Sequence, residues 1–347
     1  MRWALRAAPL VVLEVLLIAA PPAAPQNVPW SLQQSGTTAG LRGIHAVDDE
    51  VAWASGTGGT VLRTTDGGAR WQVCAAPPGG EKLDFRGVWA WDANDAIVMS
   101  SGPGAASRLY ATSDGGTSWT LLATNADPAG FWDALVFRSR GEGYVLGDPL
   151  AGRFVVLHTT DGGHTWSRLQ TRGLETDGVA TGAFAASNSS LLALRDGTLL
   201  FGTGGARAYV RRPGADRWTH AELPLARDGE AAGVFALAAR TDGAHPVLLA
   251  VGGDYEQPGV RAGTAAWSAD GAQWTAAAAP PHGYRSTVAW AARSGVWIAA
   301  GTNGSDLSRD DGRTWQPLDE GTWNALGLPW VVGPGGRIAK LAPDALR

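Results

Sequence analysis

The sequence predicts an all-β fold, a seven-bladed β-propeller with four-stranded antiparallel blades. The first observation is a short motif of hydroxyl, Asp, Gly and Trp that recurs about every 45 residues, the length of a propeller blade. The second is composition: 48 Gly and 17 Trp among 347 residues, with 17% charged residues, are typical of short strands joined by tight turns. The third is that alternating apolar and polar runs precede each motif, with Gly-rich loops between them and no helical period.

The first element, residues 1–25, differs in composition from the rest of the chain. Arg2 and Arg6 come before an apolar run at 7–20, and Ala and Pro residues follow that run. A run of about 14 residues is too short to span a membrane as a helix. The layout is typical of a secretory signal peptide. We therefore expect a secreted or periplasmic protein that does not span the membrane, with 26–347 as a single mature propeller domain.

The recurring motif predicts the turn that leads into the outer strand of each blade. Four segments carry it in full: Thr64–Trp71, Thr112–Trp119, Thr159–Trp166 and Ser308–Trp315. A fifth, Ser268–Trp274, is one residue shorter, and a sixth, Pro213–Trp218, keeps only the turn and the Trp. We expect the hydroxyl and Asp to bond turn amides, the Gly to take positive φ and the Trp to pack between blades.

These motif residues are therefore predicted to be structural rather than catalytic. The set comprises Asp66, Trp71, Asp114, Trp119, Asp161, Trp166, Asp310 and Trp315. Their spacing lacks the alternating oxygen ligands of a calcium loop. No metal site and no catalytic residue is predicted among them.

The motif is the Asp-box, or BNR, repeat, and its arrangement gives the chain a family resemblance. The chain resembles the bacterial BNR-type propellers related to the photosystem II stability/assembly factor, among the WD40/YVTN/BNR-like repeat proteins. The resemblance covers nearly all of the mature chain. It implies a propeller with a binding or assembly role. Because sialidases and other propellers share the Asp-box, the motif specifies the fold better than the function.

Six box-led units and one composite unit make up the predicted ring. The blades are placed at about 41–85, 86–132, 133–178, 179–233, 234–286, 287–325, and 326–347 together with 27–40. In the composite blade, Trp30-Ser-Leu32 parallels Trp119-Thr-Leu121 and supplies the outer strand that the C-terminal strands lack. Closing the ring with the N-terminal strand removes exposed sheet edges.

The starts of the inner strands predict a binding site at one mouth of the central channel. At each start an apolar, mostly aromatic residue is followed by a polar one and then a small one, as in Phe85-Arg86-Gly87. The loops between second and third strands open on the same face. The candidate binding residues are Arg42, Arg86, Arg108, Trp132, Asp133, Asp148, Arg153, Asp254, Tyr255, Tyr284, Arg285, Asn303, Trp323 and Asn324. Each alone is more simply explained as a solvated charge or a core aromatic, but their convergence on a concave surface indicates binding.

The favoured function is a binding or assembly module that holds a protein or peptide segment at this channel-mouth face. Charge-assisted hydrogen bonds and stacking would hold such a partner. The formal net charge of −4 argues against nucleic acid as a partner. Cys74 is the only cysteine, which excludes intramolecular disulfides, cysteine zinc sites and CxxC redox chemistry. We expect no cofactor, no metal and a monomer.

A sialidase-like glycoside hydrolase is the alternative, with a glycan as ligand. Arg42, Arg86 and Arg285 would clamp a carboxylate. Carboxylates and phenols for catalysis would come from Asp133, Asp148, Asp254, Tyr255 and Tyr284. The Arg-Ile-Pro signature of sialidases is absent, however, and Arg42-Gly-Ile44 stands in the first strand instead.

An oxidoreductase is the third class, because relatives of this kind sometimes carry that label. The Gly-rich stretches at 56–59 and 202–205 lie in predicted hairpins. Neither completes the glycine spacing of a dinucleotide-binding turn before a helix. The sequence does not support this class.

Overall fold

The chain closes into a ring of seven four-stranded antiparallel sheets, which confirms the predicted propeller. The computed structural model describes residues 29–176, 182–241 and 246–346. The predicted signal peptide, 1–25, lies outside these residues and stays a prediction. One short 3₁₀ turn, Gly104–Ala106, is the sole helical element within the described ranges.

The strands follow one another from the channel to the rim in each blade, except in the blade that closes the ring. The first strand, β1 (Trp30–Gln33), belongs to that last blade. Blade 1 contains β2 (Leu41–Ala46), β3 (Ala52–Gly56), β4 (Val61–Thr64) and β5 (Gln72–Val73). Blade 2 contains β6 (Phe85–Ala90), β7 (Ala96–Ser100), β8 (Arg108–Thr112) and β9 (Thr120–Thr124). Blade 3 contains β10 (Trp132–Phe137), β11 (Gly143–Leu150), β12 (Arg153–Thr159) and β13 (Ser167–Arg168).

The second half of the ring repeats the same order. Blade 4 contains β14 (Leu191–Ala193), β15 (Leu199–Thr203), β16 (Arg207–Arg211) and β17 (Thr219–Glu222). Blade 5 contains β18 (Ala232–Arg240), β19 (Val247–Asp254), β20 (Ala265–Ser268) and β21 (Thr275–Ala276). Blade 6 contains β22 (Thr287–Ala291), β23 (Val296–Gly301), β24 (Gly304–Ser308) and β25 (Gln316–Asp319). Blade 7 contains β26 (Ala325–Gly327), β27 (Trp330–Val332), β28 (Ile338–Leu341) and β1.

The Asp-box turns link the third and fourth strands and satisfy their own polar groups. In blade 2, Thr112 Oγ1 donates to Asp114 Oδ1 (2.8 Å) and accepts from the amide of Gly116 (3.0 Å). The amide and hydroxyl of Ser118 donate to the two oxygens of Asp114 at 2.9 and 2.6 Å. Gly116 has a φ of +81°, a backbone conformation that costs glycine little. These donors lower the pKa of Asp114 to about 2, because they favour its charged form.

The other boxes repeat this arrangement, and their Trp residues fill the spaces between blades. The amides of Arg70, Thr165 and Thr314 each donate to the box Asp of their own blade at 2.9 Å. Asp66, Asp161 and Asp310 are the acceptors. Trp71, Trp119 and Trp315 are buried, and Trp166 is partly buried.

The N-terminal strand completes blade 7, as the sequence predicts. β1 pairs antiparallel with β28, with Trp30 opposite Leu341. Trp30 is 3% exposed, and its Nε1 donates to Ser305 Oγ in blade 6 at 3.1 Å. The side chain of Gln33 accepts from Trp71 Nε1 of blade 1 (2.9 Å) and from Trp330 Nε1 of blade 7 (3.1 Å). The closing strand therefore joins three consecutive blades.

Trp30 and Leu32 provide a matched test of this closure, because they lie on the same strand with opposite exposure. Trp30→Ala should lower the free energy of unfolding by roughly 3–5 kcal/mol, the usual cost of truncating a buried aromatic side chain. Leu32 is 69% exposed, so Leu32→Ala should change it by less than about 0.5 kcal/mol. Urea unfolding of the mature chain measures both values. Equal small losses in the two variants would show that β1 does not hold the ring closed.

Candidate functional site

The inner strands of four blades contain a β-bulge near the channel mouth. In β2 the register shifts between Leu41 and Gly43, so that Arg42 has no paired partner on β3. The same shift leaves three further residues without a paired residue on the second strand of their blade: Arg86 in β6, Asp133 in β10 and Phe235 in β18. A bulge redirects the side chain of its extra residue and is common beside functional sites. The sequence pattern of apolar, polar and small residues therefore corresponds to a repeated backbone feature.

The small residue after each bulge is explained by the close approach of neighbouring segments. A Cβ on Gly43 would lie 2.8 Å from the carbonyl oxygen of Arg86 in the next blade. A Cβ on Gly87 would lie 2.8 Å from Asn188 Oδ1. A larger residue at Gly43 would push apart the inner strands of blades 1 and 2, and one at Gly87 would displace the side chain of Asn188.

A segment before the inner strand of blade 4 lies across the channel, and we call residues 185–189 the channel segment. The carbonyl of Ala185 accepts from Arg86 of blade 2 at 3.1 Å. Asn188 makes two hydrogen bonds with the backbone of Leu135 in blade 3, at 2.7 and 3.0 Å. Ser187 Oγ donates to the carbonyl of Ser286, which leads into blade 6, at 2.7 Å. The channel segment thus contacts blades on both sides of its own and fixes the inner strands beneath the mouth.

The cationic part of the mouth is formed by Arg42 and Arg86. Arg86 Nε donates to Asp84 Oδ2 at 2.8 Å, and Asp84 Oδ1 is buried with no hydrogen bond. The Arg42 guanidinium makes no hydrogen bond or ion pair with the described residues, and it is not fully exposed. Burial and the charge of Arg86 lower the pKa of Arg42, whereas Asp84 and Tyr284 favour its charged form. Arg42 is therefore a partly desolvated cation available to an anionic group.

The acidic part of the mouth lies on blade 3. Asp133 is 1% exposed, and its Oδ2 has no hydrogen-bond partner. Burial, and next the charge of Asp148, raise the pKa of Asp133 well above its usual range, while Arg86 opposes the shift. Asp148 accepts from the amide of Ala183 at 2.9 Å, and burial raises its pKa as well.

Aromatic side chains form the wall beside Arg42. Phe184 stacks on Phe235 with ring centroids 3.7 Å apart, and Tyr284 packs edge-on against Phe235 at 4.8 Å. Tyr255 contacts the same ring at 6.1 Å and is 48% exposed. Burial raises the pKa of Tyr284, so its phenol stays neutral. Tyr255 and part of Phe184 reach the surface of this wall, while Phe235 and Tyr284 are buried behind them.

Arg285 does not join Arg42 and Arg86 at the mouth. Its guanidinium is fully buried and forms an ion pair with the buried Asp306, with Nε at 2.6 Å from Oδ2. It also donates to Asn303 Oδ1 at 2.7 Å and contacts His282 Nδ1 at 2.9 Å. The expected convergence of the three arginines is therefore wrong for Arg285, which bonds Asp306, Asn303 and His282 instead.

Three further candidates lie in the core or at blade junctions. Trp132 is 4% exposed and packs in the hydrophobic core between blades 2 and 3. Trp323 is 2% exposed, and its ring centroid lies 6.1 Å from that of Trp30. Asn324 Nδ2 donates to the carbonyl of Leu41 at 2.7 Å and so joins blade 7 to blade 1.

The remaining candidates hold loops together on the mouth face. Arg108 donates to the carbonyls of Ala105 (2.7 Å) and Gly79 (3.1 Å). Arg153 forms an ion pair with Glu175. Asp254 accepts from the amide two residues later and from the side chain three residues later, each at 2.9 Å.

The structure thus brings together Arg42, Arg86, Asp133, Asp148, Tyr255 and Tyr284, and sequence reasoning missed four features of the mouth. Asp84, Phe184, Phe235 and the channel segment were not anticipated. Phe235 stands at the bulge position where other blades carry a charge, so aligning the blades by their bulges would have found it. No group of three or more His, Cys, Asp or Glu side chains suited to a metal occurs within the described ranges. Nor do these ranges contain a helix long and apolar enough to cross a membrane.

Comparisons with known proteins support the resemblance to photosystem II assembly-factor propellers. Residues 92–176 match the family model described as photosynthesis system II assembly factor YCF48. A solved structure described as YCF48 bound to D1 peptide has a TM-score of 0.63 and 17% identity, covering 94% of this chain and 100% of its own. YCF48 from Cyanidioschyzon merolae has a TM-score of 0.63 and 20% identity, covering 91% and 99%.

The fold is also shared with proteins of other activities. An ancestral GH74 enzyme has a TM-score of 0.55 and 14% identity, with 86% of this chain and 40% of the enzyme covered. In all, 846 solved chains match, so the fold by itself does not identify a function. No curated protein is similar enough in sequence to match.

Asp133→Asn should raise the stability of the protein at neutral pH. Because burial raises the pKa of Asp133, the folded chain keeps a proton that the unfolded chain releases above about pH 4. The stability of the wild type therefore falls as pH rises from about 4 toward the raised pKa. Asn keeps the shape without a titrating proton, so the gain in Tm should be present at neutral pH and vanish below about pH 4.

Thermal unfolding of wild type and variant across this pH range tests the effect. Asp228→Asn serves as the control, since Asp228 lies on an exposed loop. A constant Tm difference between Asp133→Asn and wild type at all pH values would contradict the assignment.

Proposed function

We propose that the protein is an exported, monomeric propeller that binds a protein or peptide segment at its channel mouth. The observation that carries the proposal is Arg42: a partly buried guanidinium without a partner among the described residues, set beside an aromatic wall at the channel mouth. Buried charges in proteins are normally paired. An anionic group of a partner would supply the missing interaction, and Tyr255 would stack on the residues of the partner that adjoin this group.

A peptide is favoured over a small molecule by the distribution of groups around the mouth. Arg42 of blade 1, Asp133 of blade 3 and Tyr255 of blade 5 come from separate blades, so their side chains approach the mouth from different sides. An extended segment contacts several such points at once. The structure described as YCF48 bound to D1 peptide is a peptide complex of a propeller with a similar fold, and it supports this class of partner.

The rigidity of the mouth favours binding without large rearrangement. The channel segment joins four blades other than its own through hydrogen bonds of 2.7–3.1 Å. Preorganised binding surfaces lose less conformational entropy on association. Export is part of the proposal and rests on the composition of residues 1–25.

The hydrolase alternative loses its three-arginine clamp. Arg42 and Arg86 lie together, but Arg285 is neutralised by Asp306 inside blade 6. The likeness to the GH74 enzyme concerns the fold alone. No specific feature of the described residues favours glycan hydrolysis over binding.

Arg42→Glu should weaken peptide binding at least tenfold without lowering Tm. Peptides are first selected on the wild-type mature chain from a random phage-displayed library. Reversing the charge repels an anionic group that the guanidinium attracts, and a tenfold loss corresponds to about 1.4 kcal/mol. Arg42 makes no bond within the described chain, so folding should be retained. Fluorescence anisotropy with the labelled selected peptide measures the affinity.

Arg195→Glu is the matched control, because Arg195 is exposed at the β14–β15 turn on the opposite face. This control variant should bind as wild type does. Arg285 is unsuitable for such a test because reversing its charge would bury two carboxylates together. If no peptide is selected, or if the selected peptide binds the Arg42→Glu variant with unchanged affinity, the proposed function is wrong.

A further inference from the structure

Two carboxylates on the blade 3 side of the mouth lie on adjacent strands at the same end. Asp133 is the extra residue in the bulge of β10, and Asp148 follows Gly147 in β11. The register pairs Gly147 with Trp132, the residue before Asp133. The amide of Asp148 also donates to the carbonyl of Phe131 at 3.0 Å. This backbone geometry places the two side chains next to each other.

Neither carboxylate has a cationic partner within the described chain. Asp133 is 1% exposed, its Oδ2 is buried, and no hydrogen bond reaches it. Asp148 accepts one hydrogen bond, from the amide of Ala183. In the described part of the chain, Arg86 is the positive charge that acts on Asp133, and its guanidinium bonds Asp84 and the carbonyl of Ala185 instead.

A buried carboxyl group without a hydrogen bond lowers the stability of the fold, so its presence needs an explanation. Polar groups at most buried positions are satisfied, and unpaired ones are concentrated at sites that serve function rather than stability. Asp148 is partly exposed, so a ligand group reaches the pair from its side. Asp133 lies deeper than Asp148, and its Oδ2 accepts no hydrogen bond.

We propose that Asp133 and Asp148 form a subsite for the ammonium group of a lysine side chain in the bound partner. This inference rests on the proposed function and names the second charge that the partner carries, opposite in sign to the group that meets Arg42. An ammonium has three N–H donors on one compact centre, and its charge favours the ionised forms of both carboxyl groups, so its binding releases the proton that the buried Asp133 otherwise keeps. A divalent metal ion requires more ligands than two carboxylates provide, and no group of three suitable side chains exists in the described part of the chain.

The subsite is tested with n-butylammonium chloride, a soluble stand-in for the lysine side chain. At a concentration about tenfold above its Kd, the probe should raise the Tm of the mature wild-type chain by roughly 2 °C relative to sodium chloride of equal ionic strength. n-Butyltrimethylammonium chloride has the same charge but no N–H donor and should give no such rise.

Variants then locate the effect. Asp133→Asn and Asp148→Asn should each abolish the rise, while Asp228→Asn, on an exposed loop, should keep it. A structural role for Asp133 would not make the response to the probe depend on its charge. The Asp133→Asn variant should start from a higher Tm than wild type, so loss of the response cannot be ascribed to unfolding.

Three results would overturn the inference. They are no rise with n-butylammonium in the wild type, an equal rise with the trimethyl compound, and a rise with calcium chloride that the same variants lose. The probe is independent of the selected peptide. If n-butylammonium does not raise the Tm but peptide binding still depends on Arg42, the proposed function stands without this subsite. If n-butylammonium raises the Tm but no peptide binding depends on Arg42, the ammonium subsite stands and the proposed function is wrong.

Discussion

Closure of the ring by β1 is the constraint on which the rest of the molecule depends. Hydrogen bonds between β1 and β28 join chain segments from the two ends of the domain, and Gln33 holds Trp71 and Trp330 together across the junction. Because the groups of the mouth come from separate blades, their relative positions follow from this closure. An open ring would leave two sheet edges exposed and would let the inner strands separate.

The Asp-box carboxylates and the charged groups of the mouth differ in how fully their polar atoms are satisfied. On the box face the Asp-box carboxylates accept several hydrogen bonds each, and the donors lower their pKa values. On the mouth face Arg42 and Asp133 have no hydrogen-bond partner in the described chain, and one oxygen of Asp84 is left unused. Consistency between local and global interactions is the rule in stable folds, and violations concentrate at functional sites. The contrast between faces is therefore the physical basis for placing function at the mouth.

Sequence reasoning succeeded where local chemistry or the repeat determines structure and failed where partners lie outside the repeated pattern. The box turns follow from motifs of a few residues, and the blade count and the closing strand follow from the repetition of those motifs along the chain. Arg285 was misplaced because its partner, Asp306, belongs to another strand and leaves no signal at the arginine itself. The channel segment contacts blades 2, 3, 5 and 6, and the repeat does not encode these contacts. Phe235 was missed because an aromatic residue occupies a bulge that charged residues occupy elsewhere.

The face at which a partner binds is the central claim, and amide hydrogen exchange of a peptide complex tests it most directly. With a library-selected peptide bound, protection should increase at residues 40–43 and 253–264 on the mouth face. Exchange at the box turns, 66–70 and 161–165, should stay as in the free protein. Protection confined to the box turns, with the mouth unchanged, would contradict the account.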